Sequence, residues 1–395
     1  GVANDIAVMG DDGYDYSSGY LAIDDKPVFK LYDESERRYF DLYPSINYGF
    51  AIYELFDVDN MRISMDYEIP LDFYFNLISF YGLPEEPTIS VVMDDLSGLD
   101  NIQGEGSSAQ YKNGVWMGSL LEFDLSSGYW LRMSGDATLS GSGHPYNVKR
   151  TYTLHEGANL ISFPSEGSFN ITEALPDDIE VHVQAIIGEG YSAISDGIID
   201  SNDLEDLSNN GEAVSWMGSL NKFEGLRGYW VFVDETISFE FNAEPEYMLP
   251  DDNVGRELLS EVPAELEFIQ SSEQAFYYVF EDALDNINID YGDWIASSCG
   301  SVITGAREYV GKAMDIPVMG YDGHPITSGY CEKGSIPTFT LHKMITGEVL
   351  DLHTDVVSWD SNEIFFIENM MDTAPLPMEY AMMSAYPNPF NPTTN

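Results

Sequence analysis

The residues best placed to do chemistry in this chain are its acids. The stretch SDGIIDSNDLEDL (residues 195–207) sets Asp196, Asp200 and Asp203 around Gly197 at the spacing of the second half of an EF-hand or dockerin-type calcium loop. The first half would fall on Ser192 and Ile194, which are poor oxygen donors, whereas calcium takes about six or more oxygens. The competing reading is an acidic turn leading into a short helix capped by Asp200 or Ser201, and it is favoured. The only cofactor this leaves open is a structural Ca2+ ion. A second acidic group, Asp11, Asp12, Asp24 and Asp25, sits in Asp-Gly-type turn sequence, where turn formation is preferred to cation binding.

Sugar binding needs exposed aromatic rings that stack on the ligand. Tyr14, Tyr16, Tyr111 and Tyr191 lie in predicted loops and are the glycan-stacking candidates. The tryptophans are Trp116, Trp130, Trp216, Trp230, Trp294 and Trp359; the first four recur at matched positions of a repeat, which favours core packing. Catalysis has little to stand on, and no catalytic residue is assigned. The histidines (His144, His155, His182, His324, His342 and His353) belong to no HExxH, and neither G-x-S-x-G nor a Cys/His signature occurs. Chance supplies many carboxylate pairs in a chain with 68 acids, so a pair cannot be diagnosed by spacing. Glu105 and Glu189 stand in a repeated GEG and read as turn elements. The two cysteines, Cys299 and Cys331, can form a disulfide if the protein is exported, although spacing alone does not place the sulfurs.

These residues are carried by repeats. NLISF (76–80 and 159–163), GEG (104–106 and 188–190), WMGSL (116–120 and 216–220) and GYW (128–130 and 228–230) follow one another twice in the same order. The second copy of this GYW module carries about 16 extra residues between GEG and WMGSL, as expected of a surface loop. A longer-range repeat, the VMG module, matches NDIAVMGDDGYDYSSGY (4–20) to MDIPVMGYDGHPITSGY (314–330), then KPVFKLY (26–32) to IPTFTLH (336–342). The matched pairs include Asp5/Asp315, Asp12/Asp322 and Ser18/Ser328. Gly1 aligns with Gly311, yet the later copy has the strand-like QAFYYVF (274–280) and GDWIASS (292–298) before that point. About 45 further residues of the first copy's module are therefore expected upstream.

The expected organisation is a partial VMG module (1–65), GYW copies at 66–148 and 149–248, a linker (249–264), a complete VMG module (265–372), a linker (373–385) and a terminal motif (386–395). TISFEFNA (236–243) alternates apolar and polar residues, as a half-buried antiparallel strand does. EALPDDI, SNDLEDL and GRELLSEV read as short helices. The expected fold is all-β: tandem small β-sandwich-like modules with few short helices. In WMGSLxxFxxxxGYW, Gly118 and Gly128 are expected at turns or bulges closed to other residues, with Trp, Leu and Phe filling a small core.

Composition narrows the partners. Sixteen basic residues against 68 acidic ones give a net charge of -52. Such a surface repels phosphate backbones and anionic lipid, which excludes nucleic acid and membrane surfaces as natural partners. Seawater-strength salt would screen the self-repulsion, and simple solubility is an equal explanation. No run of about 18 apolar residues occurs, so no membrane-spanning helix is expected.

The chain closes on SAYPNPFNPTTN (384–395), in which Tyr386, Pro387, Asn388, Pro389, Phe390, Asn391 and Pro392 carry a proline-punctuated, extended pattern. This run resembles the opening of the C-terminal sorting domain of proteins exported by the bacterial type IX secretion system, in which amphipathic strands follow. The VMG and GYW modules resemble modules that recur before such domains in large secreted proteins. The resemblance implies recognition by outer-membrane export machinery, then an extracellular or cell-surface location, in marine or gliding bacteria; it implies no substrate. The expectation is a non-catalytic spacing, adhesion or display segment that touches cell-surface components or extracellular polysaccharide. The alternative is an ancillary substrate-binding region of a secreted hydrolase whose catalytic domain lies upstream.

Overall fold

The computed structural model describes residues 5–34, 38–44, 46, 48–58, 61–62, 65–145, 150–195, 214–243 and 262–372. These residues are all-β, with antiparallel sheets in tandem modules and a few one-turn helices. In the first VMG copy, β1 (Phe29–Asp33), β2 (Arg38–Pro44) and β3 (Met61–Arg62) form one sheet in that order. Ahead of it a parallel bridge joins Gly10 to Leu21 across a 3₁₀ turn at Asp15–Ser17.

The first GYW copy comprises β4 (Met65–Leu71), β5 (Tyr74–Ile78), β6 (Gly82–Leu83), helix α1 (Ile89–Val92), β7 (Leu99–Gly104), β8 (Ser107–Lys112), β9 (Val115–Gly118), β10 (Tyr129–Met133) and β11 (Ala137–Pro145). A sheet ordered β5-β10-β7-β8-β9 packs on a β4-β11-β6 sheet across Ile69, Phe80, Ile102, Phe123 and Leu131. The second copy comprises β12 (Thr151–Leu154), β13 (Gly157–Ser162), β14 (Ser168–Asn170), helices α2 (Ile171–Ala174) and α3 (Asp177–Glu180), β15 (Val183–Ile187), β16 (Ser192–Ser195), β17 (Trp216–Gly218), β18 (Lys222–Glu224), β19 (Gly228–Val233) and β20 (Ile237–Glu240), and in place of the three-stranded sheet it has two pairs, β12-β20 and β14-β18. Its five-stranded sheet, β13-β19-β15-β16-β17, has the same order strand for strand. Even the bulge is conserved between copies, at Arg132/Met133 in one and Val183/Ala185 in the other.

The repeated motif explains itself at WMGSL. Gly118 has φ +151° in the strand beside β8, and a Cβ there would stand 2.0 Å from the Ser108 carbonyl oxygen; Gly218 has φ +128° and the same conflict with Ser192. Only glycine lets the two backbones come this close. In the first copy β8 and β9 are joined by Asn113–Gly114, both at positive φ, the usual tight hairpin turn. The insertion of the second copy occupies the corresponding β16–β17 connection. EALPDDI becomes two helices rather than one: Leu175, ahead of Pro176, is extended, as the proline ring demands of its neighbour.

The second VMG copy comprises β21 (Gln274–Val279), helix α4 (Glu281–Leu284), β22 (Trp294–Cys299), β23 (Val302–Glu308), β24 (Met314–Met319), β25 (Thr338–His342), β26 (Val349–Thr354), β27 (Ile364–Ile367) and β28 (Met370–Met371). The sheets β24-β21-β27 and β23-β22-β25-β26-β28 enclose Tyr277, Ile295, Ile316, Phe339 and Trp359. The β21–β27 pair is parallel, a departure from the antiparallel expectation. Its Gly320–Cys331 bridge and Pro325–Thr327 3₁₀ turn reproduce those of the first copy. Among the described residues no helix is long and apolar enough to cross a membrane.

Candidate functional site

The most highly organised polar chemistry lies where modules meet. Strands β5 and β13, the two NLISF segments, are edge strands, so one row of their backbone N–H groups has no partner within its own sheet. Glu105, in the turn between β7 and β8, reaches across to the second copy and accepts the Leu160 N–H at 2.8 Å. Glu189, the matched residue of the second copy, reaches back and accepts the Leu77 N–H at 2.8 Å. Leu77 and Leu160 are buried, and a backbone N–H left unmet there would cost about 1–3 kcal/mol.

The exchange is reciprocal in the backbone too. Gly128 N–H donates to the Leu160 carbonyl at 3.1 Å, Ser79 N–H to the Leu226 carbonyl at 3.0 Å, and antiparallel bridges join Ile78 to Arg227 and Ser127 to Ile161. The two GYW copies thus form a local two-fold pair, each giving its partner what it receives. Gly128 is required for this approach and not for a turn. A Cβ there would lie 2.9 Å from Leu160 Cδ1 and 3.2 Å from Gly228 Cα. Trp130, Leu77 and Leu160 pack with Trp230 into a shared apolar cluster. His155 Nε2 also lies 2.8 Å from Glu105 Oε1, and its pKa is pushed up, first by the Glu156 carbonyl and then by Glu105.

A second joint fixes the second VMG copy to the outer face of the second GYW sheet. Ala185, Ile187 and Ile194 pack on Phe276 and Tyr278, with Phe232 and Ile364 at the margin. Inside this contact Asp315, 1% exposed, accepts at Oδ2 from Ser192 N–H (3.2 Å), Ser192 Oγ (2.9 Å), Ser219 Oγ (2.6 Å) and Arg307 Nη2 (3.3 Å). Arg307 also donates through Nη2 to the Gly190 carbonyl at 2.8 Å, and its guanidinium lies over the Tyr191 ring. Gln274 donates to the Gly188 carbonyl at 2.9 Å. Burial, and after it the Asp315 charge, holds Tyr278 well above the usual tyrosine range, so its hydroxyl keeps its proton and shares a 2.9 Å hydrogen bond with Ser192 Oγ. The second VMG copy touches the first GYW copy as well, where Tyr74 OH donates to Asp322 Oδ2 at 2.7 Å.

A small cleft opens between the two GYW copies, lined by Leu77, Glu189, Tyr191, Lys222, Glu224 and Arg227. The Lys222 side chain is buried and its Nζ lies 2.7 Å from Glu224 Oε1. The cavity is about 30 Å³, room for a water molecule and far below the several hundred Å³ of a small-molecule site. Of its charges, Glu189 serves the joint, with Arg227 Nη1 3.6 Å from its Oε2.

The residues singled out in the sequence fall elsewhere. Asp196, Asp200 and Asp203 lie outside the described residues, as do Tyr386, Pro387, Asn388, Pro389, Phe390, Asn391 and Pro392. Ser192 and Ile194, the first positions of the hypothetical calcium loop, are buried in β16 and engaged by the VMG copy. Asp11 and Asp12 spend their carboxylates on the turn: Asp11 accepts the Gly13 N–H at 2.8 Å, and Asp12 takes the Ser17 and Tyr16 hydroxyls, which hold it below the usual carboxylate range. Asp322 repeats this with Thr327 at 2.7 Å. Among the described residues no group of three or more His, Cys, Asp or Glu side chains is arranged to hold a metal. Tyr14 and Tyr16 are exposed, with ring centroids 5.7 Å apart and planes within 6°. Tyr111 is half-exposed and tilted against Trp116, while Tyr191 carries Arg307. Cys299 and Cys331 are bridged, with Cα atoms 5.3 Å apart. Compared with protein-family models, curated proteins and solved structures, the chain matches none.

Glu105 and Glu189 escaped a reading by motif because a lone glutamate between glycines does not name its partner. One signal was present: GEG and NLISF recur together in both copies, and elements that recur as a set are candidates for contact.

Proposed function

We propose that this chain is a non-catalytic structural, adhesion or display segment of a secreted or cell-surface bacterial protein exported by a type IX-like route. The observation that carries the reading is the mutual clasp: Glu105 and Glu189, with the buried Asp315 joint, weld three modules into one block. Inter-domain contacts of ordinary polar character leave domains free to move, whereas the buried Asp315 carboxylate, glutamates that meet buried backbone N–H groups, and apolar faces hold them fixed. A fixed block with a strongly acidic coat suits holding another domain away from a surface in salty medium. The Cys299–Cys331 disulfide suits an oxidising compartment, and the AYPNPFNPTT run supplies the export signal.

Small-angle scattering in low and seawater-strength salt tests the mechanical half. Residues 65–372 should behave as one rigid body at both. Scattering that requires flexible joints between the GYW copies would sink the spacer reading. Panels of glycosidase, esterase and protease substrates should give no turnover.

A second reading has one specific observation behind it. The parallel, exposed rings of Tyr14 and Tyr16 suit stacking on sugar, as an ancillary binding region of a hydrolase would need. Retention on insoluble polysaccharide that disappears in a Tyr14→Ala, Tyr16→Ala variant would favour it. Retention unchanged by the pair would remove these residues from consideration.

A further inference from the structure

The two VMG copies carry the same turn, filled in two different ways. Their offset of 310 matches Asp12, Tyr14, Tyr16 and Ser17 to Asp322, His324, Ile326 and Thr327. In the second copy Asp322 Oδ1 accepts from the His324 N–H at 2.9 Å and from the Thr327 hydroxyl at 2.7 Å. Its Oδ2 takes a donor from outside the module. Tyr74 of the first GYW copy supplies the hydroxyl at 2.7 Å, with its ring centroid 5.6 Å from that of His324. In the first copy Asp12 Oδ1 accepts from the Tyr14 N–H at 3.2 Å and from the Ser17 hydroxyl, as Asp322 does. Its Oδ2, however, takes the hydroxyl of Tyr16, whose ring centroid lies 5.7 Å from that of Tyr14. Tyr16 stands to Asp12 and Tyr14 as Tyr74 stands to Asp322 and His324. These donors to Asp12 come from residues 14–17 of its own turn, whereas Tyr74 comes from another module.

Tyr74 is held in an unusual backbone for this contact. Its φ is +83°, and at the matched position the second GYW copy has Gly157, with φ +94°. The turn around the two residues is the same. Asn76 Oδ1 accepts the Asp72 N–H at 2.7 Å, and Asn159 Oδ1 accepts the His155 N–H at 2.9 Å. Glycine takes up this left-handed conformation freely, whereas a bulky side chain is strained in it. Strain of this kind persists where the surroundings hold it in place, and it clusters at functional positions. Tyr74 is 2% exposed, packs with Phe75 and Trp130, and brings its hydroxyl to Asp322. Burial, and after it Asp322, holds its pKa above the usual tyrosine range, so the hydroxyl remains a donor. The pKa of Tyr16 is raised as well, first by Asp12.

We infer that the Asp-Gly turn of the VMG module is a receptor for one tyrosine hydroxyl, that Tyr16 closes it from within in the first copy, and that Tyr74 and Asp322 thereby determine which modules seat together. Two GYW and two VMG copies allow four pairings through this turn, and three of them are barred. Gly157 offers no side chain, and Asp12 Oδ2 is already taken by Tyr16. Tandem copies share their surfaces, so a wrong pairing competes with the right one unless a feature is built against it. Such sorting serves any rigid tandem block, whether it spaces, displays or binds.

A double-mutant cycle on the full chain tests this, read as the opening equilibrium of amides in residues 320–331 by hydrogen exchange. Tyr74→Phe keeps the ring and removes the hydroxyl. It should raise opening about tenfold, the worth of a hydrogen bond to a charged group. In an Ile326→Tyr background the second copy's receptor is filled from within, as in the first copy, and Tyr74→Phe should then change opening by less than about twofold. In an Ile326→Phe background the added ring has no donor, and Tyr74→Phe should again cost about tenfold. Tyr16→Phe should speed exchange in residues 11–21 and leave residues 320–331 unchanged. Equal effects of Tyr74→Phe in the Ile326→Tyr and Ile326→Phe backgrounds would overturn the proposal, because the two hydroxyls would then not compete for one seat. Tyr74→Phe without effect in the otherwise unaltered chain would overturn it too, whether or not the variants at Ile326 fold.

Discussion

The five-stranded sheets of the two GYW copies match in character on their inward faces and differ at positions on their outward faces. Strand order, register and bulge coincide, so Asn101, Gln103, Gln110 and Arg132 of the first copy occupy the positions of Ala185, Ile187, Ile194 and Phe232 in the second. Between these positions the inward residues match in character, with Ile102 and Ala109 against Ile186 and Ala193. The second face lies under β21 of the VMG copy; on the first, Gln103 instead bonds Asn101 at 3.0 Å and Arg132 bonds Asp100 at 2.8 Å. Side chains alternate across a strand, so one face can be rewritten while the other keeps the fold. The core half of the pattern specifies the module, and the outer half specifies its neighbour.

Four experiments would break or sharpen this contrast. The largest effect should come from giving the second copy the first copy's face, with Ala185→Asn, Ile187→Gln, Ile194→Gln and Phe232→Arg together. Each large apolar side chain lost from a buried contact costs about 2–5 kcal/mol. The VMG copy should therefore undock, and denaturant unfolding should split into two transitions while the GYW core stays folded. A single unshifted transition would show that the face does not hold the joint. Next comes Asp315→Ala, which leaves Arg307 buried without its carboxylate and should cost about 3–5 kcal/mol by urea titration. The clasp should follow, asymmetrically. Glu189→Gln should cost more than Glu105→Gln, because the Glu189 side chain is 19% exposed against 39% for Glu105; each is worth about 1–2 kcal/mol. Equal losses would mean that exposure does not set their worth.

The smallest effect is a pH dependence. The folded pKa of His155 lies above its unfolded value, so its contribution is fully present below the ordinary histidine range and is lost as pH rises through the folded value. Melting temperature should fall slightly across that interval, and the fall should be absent in His155→Gln. The ring is mostly solvent-exposed, which keeps the effect small.

Much of the fold was legible in the sequence, and the reasons differ by element. β20 showed its period of two through Ile237 and Phe239 because one face is wet. β21 did not, because one side of the strand faces its own core and the other faces Ile187 and Ile194. Gly118 was legible as a backbone requirement, whereas Gly128 looked the same and serves the joint between copies. Trp130 and Trp230 read as core; Trp130 is core and Trp230 partly buried beside it, in a cluster shared by two modules. The joint itself was hidden because its partners are contributed by separate copies, and spacing within one segment carries no sign of them. Asp315 illustrates the limit: it matches Asp5 in sequence, yet Asp315 is buried against four donor contacts and Asp5 is exposed.

The most direct test of the central claim is native-state hydrogen exchange on the unmodified chain, following the slowest amides of β5, β13 and β21. If three modules are one block, all three strands should report the same opening free energy and move together with denaturant. Three separate values, with β21 opening independently of β13, would contradict the block and leave the chain a string of modules.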